Sequence, residues 1–277
     1  MRAASGGTLN NAGPDYNTDQ VVGRETLERA RTRAAGAADL QSGLRGMSGL
    51  RGLKFDPLPG AEKEGQLIVS TVSAQGRPAT IHSRADAQER VLRDLEQPPE
   101  ILHIATHGFF LKPDDTLRKR LLKLQRSGDF QVPPPGDNPL LRAGLAFAGI
   151  NSNAQVLGEI DTDNDGVLTA LEVLGLDLGG TRLAILSACE TGLGEIHEGE
   201  GVYGLRRAFQ EAGAQAVVSS LWEVSDAGTQ TLMAALYKRL LAGKTPHDSL
   251  REAQLEMLKN SQWSMPYIWS AFYMVGG

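Results

Sequence analysis

Two side chains in this sequence have the chemistry of a nucleophile and its base. Cys189, the single cysteine of the 277-residue chain, follows the apolar run LAILSA, and His107 follows a second run, ILHIAT. An imidazole within hydrogen-bond reach of a thiol takes its proton and pairs with the thiolate, which makes the sulfur a strong nucleophile. Because the carboxyl ends of parallel strands meet at one edge of a sheet, the two residues are candidates for a Cys–His dyad.

The residues around the two candidates leave a second interpretation open. Cysteine is among the most often buried residue types, so a cysteine that ends an apolar strand is commonly a packing residue. A tight turn at His107–Gly108 would aim backbone N–H groups at a developing oxyanion. His103 lies inside its apolar run, so we expect it to be packed or hydrogen-bonded rather than catalytic.

An acidic segment at residues 161–172 matches the calcium-loop pattern D-x-[DN]-x-[DN]-G-x₅-E in full. The ligands that this pattern assigns to Ca²⁺ are Asp161, Asp163, Asp165, the carbonyl of Val167, Thr169 through water, and bidentate Glu172. Alternatively, Thr169 and Glu172 form a capping box at the start of a helix without any metal. The capping box leaves the three alternating aspartates unexplained, since their mutual repulsion costs stability without a cation. A bound ion would be either regulatory or purely structural.

The elements that must position these residues alternate between strand-like and helix-like patterns from about residue 61, which is typical of a parallel α/β fold. Strands are predicted at 79–82, 101–105, 144–150, 183–187, 216–221 and 267–275. Helices are predicted at 85–95, 201–212, 229–241 and 247–260, whereas 66–72 fits either type. Residues 1–56 have few large apolar side chains and predict a poorly packed arm with one exposed helix at 24–40.

Composition excludes several classes of protein. An apolar fraction of 41% and a charged fraction of 22% exclude wholesale disorder. The longest apolar runs are too short to span a membrane, and a net charge of −5 gives no basic footprint for nucleic acid. One cysteine fits a reducing compartment, so a cytoplasmic location is expected.

The basic stretch LRKRLLKLQR at 117–126 is predicted to be a surface helix rather than a nucleic-acid site. Its residues Arg118, Arg120 and Arg126 are also natural targets for self-processing by an enzyme that prefers arginine.

Several stretches in fixed order resemble the CHAT domain, a family of caspase-like cysteine peptidases related to separase and the metacaspases. They are HIATHGFF, DGVLTALEVLGLDL, LAILSACETGLG, GEGVYGLRRAFQEAGAQAVVSSLWEVSDAGT and YIWSAFYMVGG. The resemblance covers residues 57–277 and implies a three-layer α/β/α sandwich around a mostly parallel sheet. It also implies that His107 is the catalytic histidine, that Cys189 is the nucleophile, and that Gly108 shares oxyanion binding with the N–H of Cys189.

Separase-like relatives prefer a basic residue before the cleaved bond, and the best match for their acidic pocket residue is Asp226, with Glu223 as a helper. Asp226 alternatively caps a helix that begins near Ala227. The expected function is a cysteine endopeptidase that cleaves protein or peptide substrates after a basic residue under calcium control. Family members often carry a helical-repeat sensor, so a regulatory domain or partner is expected. The alternatives are a catalytically idle partner-binding module and a calcium-sensing scaffold.

Overall fold

The computed structural model describes residues 6–18, 53–111, 139–153, 165–188, 200–222 and 224–277. Its strands are β1 (Thr8–Pro14), β2 (Ala79–Arg84), β3 (Ile101–Ala105), β4 (Gly108–Phe110), β5 (Ala143–Ala146), β6 (Val167–Thr169), β7 (Leu183–Ser187), β8 (Ala216–Ser220) and β9 (Phe272–Gly276). Its α-helices are α1 (Pro59–Ser73), α2 (Arg90–Arg93), α3 (Ile150–Asn153), α4 (Ala170–Val173), α5 (Glu200–Glu211), α6 (Asp226–Leu241), α7 (Pro246–Lys259) and α8 (Pro266–Trp269).

A six-stranded sheet with the order β2-β1-β3-β7-β8-β9 forms the centre of the described structure. Its first five strands are parallel, and β9 closes one edge antiparallel to β8. A smaller antiparallel sheet, β4-β5-β6, lies beyond the end of β3. This mostly parallel sheet agrees with the expected caspase-like α/β fold.

Helices cover both faces of the central sheet, because successive side chains of a strand point to opposite faces. Ile101 of β3 and Ile185 of β7 belong to one apolar cluster, which also contains residues of α1, α6 and α7. Leu102 and Leu186 belong to a second cluster, which contains residues of α4 and α5. The sheet is thus the middle one of three layers. The ends of β3 and β7, which precede His107 and Cys189 in the sequence, lie side by side at one edge of the sheet.

The first strand corrects the expectation of a poorly packed arm over residues 1–56. Strand β1 lies inside the sheet, hydrogen-bonded to β2 on one side and β3 on the other. Its sequence, TLNNAGP, contains one large aliphatic residue. Asn10 and Asn11 are buried although they are polar, so the segment lacks the apolar pattern from which a buried strand is predicted. Its burial comes from pairing with strands that lie about 70 to 90 residues later in the sequence, a relation that local composition does not reveal.

Most other predicted elements are confirmed, with the following differences. The predicted strand at 144–150 is wrong in its second half, because β5 ends at Ala146 and Ile150 begins α3. Residues 66–72 belong to α1. The predicted helix at 85–95 is reduced to α2. The predicted strand at 267–275 is wrong in its first half, because Pro266 starts the helical turn α8 before β9 begins. The segments 24–40 and 117–126 lie outside the described residues.

Among the described helices, none has both the length and the apolar character required to cross a membrane.

Candidate active site

The two strands that precede the candidate dyad are neighbours in the sheet. Strand β3 pairs in parallel with β7, and the last pair in register is Ala105 with Ser187. His107 lies two residues beyond Ala105 in the sequence, and Cys189 lies two residues beyond Ser187. Cys189 itself is outside the described residues, which end at Ala188 in this segment.

The imidazole of His107 is buried and oriented by a backbone carbonyl. Nε2 lies 2.8 Å from the carbonyl oxygen of Asp56, and the residue is 7% exposed. A carbonyl oxygen can only accept a hydrogen bond, so Nε2 carries the proton in the neutral ring. Nδ1 is then the basic nitrogen, the atom that a general base needs.

Asp56 is held in place through its neighbour, Phe55. The amide side chain of Asn151 accepts from Phe55 N at 2.9 Å through Oδ1 and donates to Phe55 O at 2.8 Å through Nδ2. The Phe55 ring lies 5.7 Å from the imidazole centroid of His107. Sequence analysis missed Asp56 and Asn151. The bonds that they make involve the backbone of residues 55 and 56, and a backbone group is the same in every residue type.

A hydroxyl relay supports the backbone of His107. The N–H of His107 lies 3.4 Å from Tyr16 Oη, and Tyr16 Oη lies 2.9 Å from Thr106 Oγ1. Thr106 Oγ1 donates to the carbonyl of Ala146, so Tyr16 must donate to Thr106. Burial raises the pKa of Tyr16 to about 12, which keeps its hydroxyl protonated as this donor.

Gly108 begins β4 with its N–H directed away from β5. Ala146 N donates to His107 O at 2.9 Å, and Gly108 is paired with Leu145. This pattern makes Gly108 and Leu145 a non-hydrogen-bonded pair of an antiparallel ladder. The N–H of Gly108 therefore lies outside the β4–β5 ladder, as an oxyanion donor requires.

The chain that leads to Cys189 is fixed at two points. Ser187 Oγ donates to Glu64 Oε2 at 3.2 Å, and Ser220 Oγ donates to the carbonyl of Ala188 at 3.1 Å. These contacts come from α1 and β8, which flank the end of β7. The last two described residues before Cys189 are thus bonded to neighbouring elements.

His103 is packed and hydrogen-bonded, as expected, and belongs to a buried polar network. Its Nε2 lies 2.9 Å from Glu64 Oε1, and its Nδ1 lies 3.3 Å from Tyr237 Oη. Burial, followed by the negative charge of Glu64, raises the pKa of Tyr237 well above its usual value. Sequence analysis missed Glu64. Glu64, Ile68 and Val72 follow one another at four-residue intervals, which places this carboxylate in the buried stripe of α1.

Asp226 is exposed in the first turn of α6, and the expectation that it caps this helix is wrong. The N-cap is Ser225, whose Oγ accepts from Gly228 N at 3.3 Å. The Asp226 carboxylate lies directly against Gly60 in the first turn of α1. Gly60 is four residues from Asp56, whose carbonyl contacts His107. The Cα atoms of Gly60 and Asp56 are therefore at most about 14 Å apart. Glu223, the expected helper, is outside the described residues.

The described half of the acidic loop contains the capping box. Thr169 Oγ1 accepts from Glu172 N at 3.2 Å, and Glu172 Oε2 accepts from Thr169 N at 2.7 Å. Glu172 Oε1 lies 3.2 Å from the Arg93 guanidinium. Val167 starts β6, and its N–H donates to Asp165 Oδ1 at 2.9 Å. Asp161 and Asp163 lie outside the described residues.

This arrangement does not fit a bidentate Glu172 ligand, because both of its oxygens are engaged. The described residues contain no group of three or more His, Cys, Asp or Glu side chains arranged to hold a metal ion. Arg93 also lies 3.6 Å from the buried carboxylate of Glu89. Burial, and then repulsion from Asp165, raise the pKa of Glu89 well above its usual value. The charged form of Glu89 is therefore disfavoured, and the Arg93 guanidinium partly offsets this effect.

Comparison with protein families gives a match that spans nearly the whole chain. The model of the CHAT domain matches residues 10–277. The chain belongs to the CHAT domain family. The match begins within β1, so this CHAT domain includes residues from the segment that composition had assigned to an arm.

Tetratricopeptide repeat protein 28 from Homo sapiens is 26% identical to this CHAT domain over 228 residues, and the Mus musculus protein is equally similar. The matches cover 80% of this chain but 8% of the human and 9% of the mouse protein. The chain thus spans less than a tenth of the curated relatives it matches.

Among solved structures, pyridoxal kinase from Staphylococcus aureus in complex with AMP-PCP and pyridoxal matches over 100% of both chains. The identity is 10% and the TM-score 0.30, so this likeness carries no argument about the CHAT domain.

Proposed function

We propose that this CHAT domain is a cysteine endopeptidase in which His107 is the general base and Cys189 the nucleophile. The observation that carries the proposal is the register of β3 and β7. Ala105 and Ser187 are paired, and each candidate lies two residues beyond one of them. The Asp56 carbonyl adds support, since it leaves Nδ1 of His107 as the basic nitrogen.

In the proposed reaction, Nδ1 of His107 takes the thiol proton of Cys189, and Sγ forms a bond to the scissile carbonyl carbon. The resulting oxyanion accepts hydrogen bonds from the N–H groups of Gly108 and Cys189. When the C–N bond breaks, His107 returns its proton to the leaving amine. His107 then deprotonates a water molecule, which hydrolyses the thioester and restores the thiol.

Asp226 is proposed to select a basic residue before the cleaved bond, with Glu223 as its helper. Asp226 is exposed and is the first residue of α6. This helix comes after β8, the strand next to β7. A carboxylate of this kind binds arginine through two parallel hydrogen bonds. Self-processing at Arg118, Arg120 or Arg126 follows from the same preference.

The first experiment measures cleavage of fluorogenic peptides with Arg, Lys, Leu or Asp before the scissile bond. Wild-type protein is compared with Cys189→Ala and His107→Ala, and we expect release after Arg or Lys that both variants abolish. Intact masses of wild type and Cys189→Ala are compared for self-processing. Equal release by wild type and Cys189→Ala would exclude a Cys189 peptidase. Absence of cleavage by all proteins would favour the idle partner-binding module.

The partner proposed for regulation is a helical-repeat domain or protein. Two relatives are named for tetratricopeptide repeats, and this chain covers less than a tenth of each. A repeat region is therefore the proposed controller of the CHAT domain.

Ca²⁺ binding at residues 161–172 is proposed as a second function of the domain. The supporting observation is the buried carboxylate of Glu89, which accepts from Asp165 N through Oε1 and whose Oε2 has no hydrogen-bond partner among the described residues. To coordinate Ca²⁺ with both oxygens, Glu172 would have to break its ion pair with Arg93 and the capping-box hydrogen bond that it accepts from Thr169 N.

Calorimetric titration with CaCl₂ tests the loop independently of activity. Asp163→Asn should weaken binding, and Arg93→Gln should strengthen it, because the competing guanidinium is gone. Identical titrations with Ca²⁺ and with Mg²⁺, unaffected by either substitution, would rule out a specific calcium loop.

A further inference from the structure

One buried carboxylate joins the two strands that lead to the proposed dyad. Glu64 of α1 is 3% exposed, and its two oxygens contact different strands. Oε1 lies 2.9 Å from Nε2 of His103 in β3, and Oε2 accepts from Ser187 of β7 at 3.2 Å. His103 is four residues before His107, and Ser187 is two residues before Cys189.

The hydrogen bonds of this network form a chain in which every donor meets an acceptor. With a neutral His103 ring protonated at Nε2, Nε2 donates to Glu64 Oε1 and Nδ1 accepts from Tyr237 Oη. The Ser187 hydroxyl donates to Glu64 Oε2, so Glu64 accepts at both oxygens. Replacing any member leaves a buried polar atom without a partner, which costs about 1 to 3 kcal/mol in general.

The surroundings of Glu64 are apolar. On its face of the sheet, Ile68, Ile101 and Ile185 are buried in one cluster with residues of α6. Apolar side chains in place of a buried polar network are often neutral or stabilising, so Glu64 is weak evidence for stability. Its contacts link two adjacent strand ends.

We propose that Glu64 is a positioning residue that acts through Ser187 to set the direction in which the chain leaves β7 toward Cys189. This inference rests on the proposed peptidase function. Helix α1 is then linked to both halves of the dyad. The segment that leads into it orients His107 through the Asp56 carbonyl, and Glu64 aligns the nucleophile strand. Because a displacement of about 1 Å costs as much as 100-fold in rate, a single lost hydrogen bond at Ser187 has a measurable effect.

The test uses Ser187→Ala, Glu64→Gln and the double variant. Ser187→Ala should lower kcat roughly tenfold with little change in KM, since neither Ser187 nor Glu64 is a proposed substrate-binding residue. The double variant should be no slower than Glu64→Gln alone, because both substitutions break the same contact.

Two matched controls separate positioning from general loss of stability. Glu62→Gln makes the same charge change on α1, at a side chain that pairs with Arg84. Ser219→Ala removes a buried hydroxyl of β8 that lacks a hydrogen-bond partner among the described residues. Both should retain wild-type kcat, and thermal unfolding confirms that the variants are folded.

Alkylation of Cys189 by iodoacetamide gives a readout that requires no peptidase activity. Cys189 is the single thiol of the chain. The dependence of the alkylation rate on pH therefore reports the fraction of Cys189 that is thiolate. In Ser187→Ala the midpoint should move to higher pH, because the sulfur is held less closely to the imidazole.

The two proposals fail in different ways. Unchanged kcat and an unchanged alkylation midpoint in Ser187→Ala would overturn the positioning role. A wild-type protein without peptidase activity would overturn the proposed function, and the alkylation profile would still decide the role of Glu64.

Discussion

At the scale of single residues, the site depends on groups that orient His107 rather than on the imidazole alone. The Asp56 carbonyl fixes the tautomer, and Asn151 fixes the segment that carries this carbonyl. A dyad requires the base nitrogen to face the thiol in one protonation state. The proposed role of His107 therefore depends on Asp56 and Asn151 as well as on the imidazole itself.

Asn151→Ala should reduce kcat about tenfold, because the Phe55–Asp56 backbone loses both side-chain hydrogen bonds. Peptide cleavage between pH 5 and 9 measures the effect. Ser152→Ala is the control, since its hydroxyl bonds to Asn17 O and not to residue 55 or 56. An equal loss in both variants would indicate a disturbed helix α3 instead of a misplaced carbonyl.

Asp226→Asn should lower kcat/KM for arginine peptides about 100-fold and leave leucine peptides nearly unchanged, because the amide cannot form the ion pair. Asp248→Asn is the matched control, an acidic residue in the first turn of α7. If arginine and leucine peptides lost rate equally, Asp226 would have a structural role in helix α6.

At the scale of elements, β1 lies in the sheet between β2 and β3, the strand that precedes His107. It pairs from Thr8 to Ala12 with both β2 and β3, and Tyr16 lies two residues beyond its end. Without β1, β2 is separated from the sheet and the edge of β3 is uncovered. The strand thus links the N-terminal segment to the edge of the sheet where the proposed dyad lies.

A chain that begins at residue 15 should be insoluble or unfolded, because β2 and β3 lose their common neighbour. A chain that begins at residue 6 keeps β1 and should fold. Soluble yield and circular dichroism of both truncations provide the comparison. A folded, soluble product from the shorter chain would show that the sheet closes without β1.

At the scale of the whole molecule, buried tyrosines should make stability depend on alkaline pH. The pKa of Tyr16 is about 12 in the folded protein, whereas an unfolded tyrosine ionises near pH 10. The stabilising difference is therefore complete below pH 10 and is lost as the pH rises toward 12. Its loss amounts to about 1.4 kcal/mol per pH unit for one tyrosine.

Urea unfolding at pH 9 and pH 11 measures this loss. Tyr16→Phe should lose about 1 kcal/mol less than wild type between the two values, and Tyr267→Phe, at an exposed position, should match wild type. Parallel losses in all three proteins would contradict a buried, protonated Tyr16.

The sequence alone was enough to predict the strands β3, β7 and β8 and the helices α6 and α7, and the dyad of His107 and Cys189 is a prediction made from the same runs. These features are local: an apolar run is buried on both faces of a sheet, and a thiol or imidazole retains its reactivity wherever the run ends. The capping box of Thr169 and Glu172 was equally predictable, since its residues are three positions apart.

Only the tertiary structure decided the place of β1, the Asp56 carbonyl and the link from Glu64 to Ser187. Each is a contact between segments that are distant in the sequence, with 123 residues separating Glu64 from Ser187. A backbone carbonyl is the same in every residue, and the helical spacing that places Glu64 in the buried stripe of α1 does not identify its partners. Their partners are set by the packing of α1 against the sheet, a property of the fold as a whole.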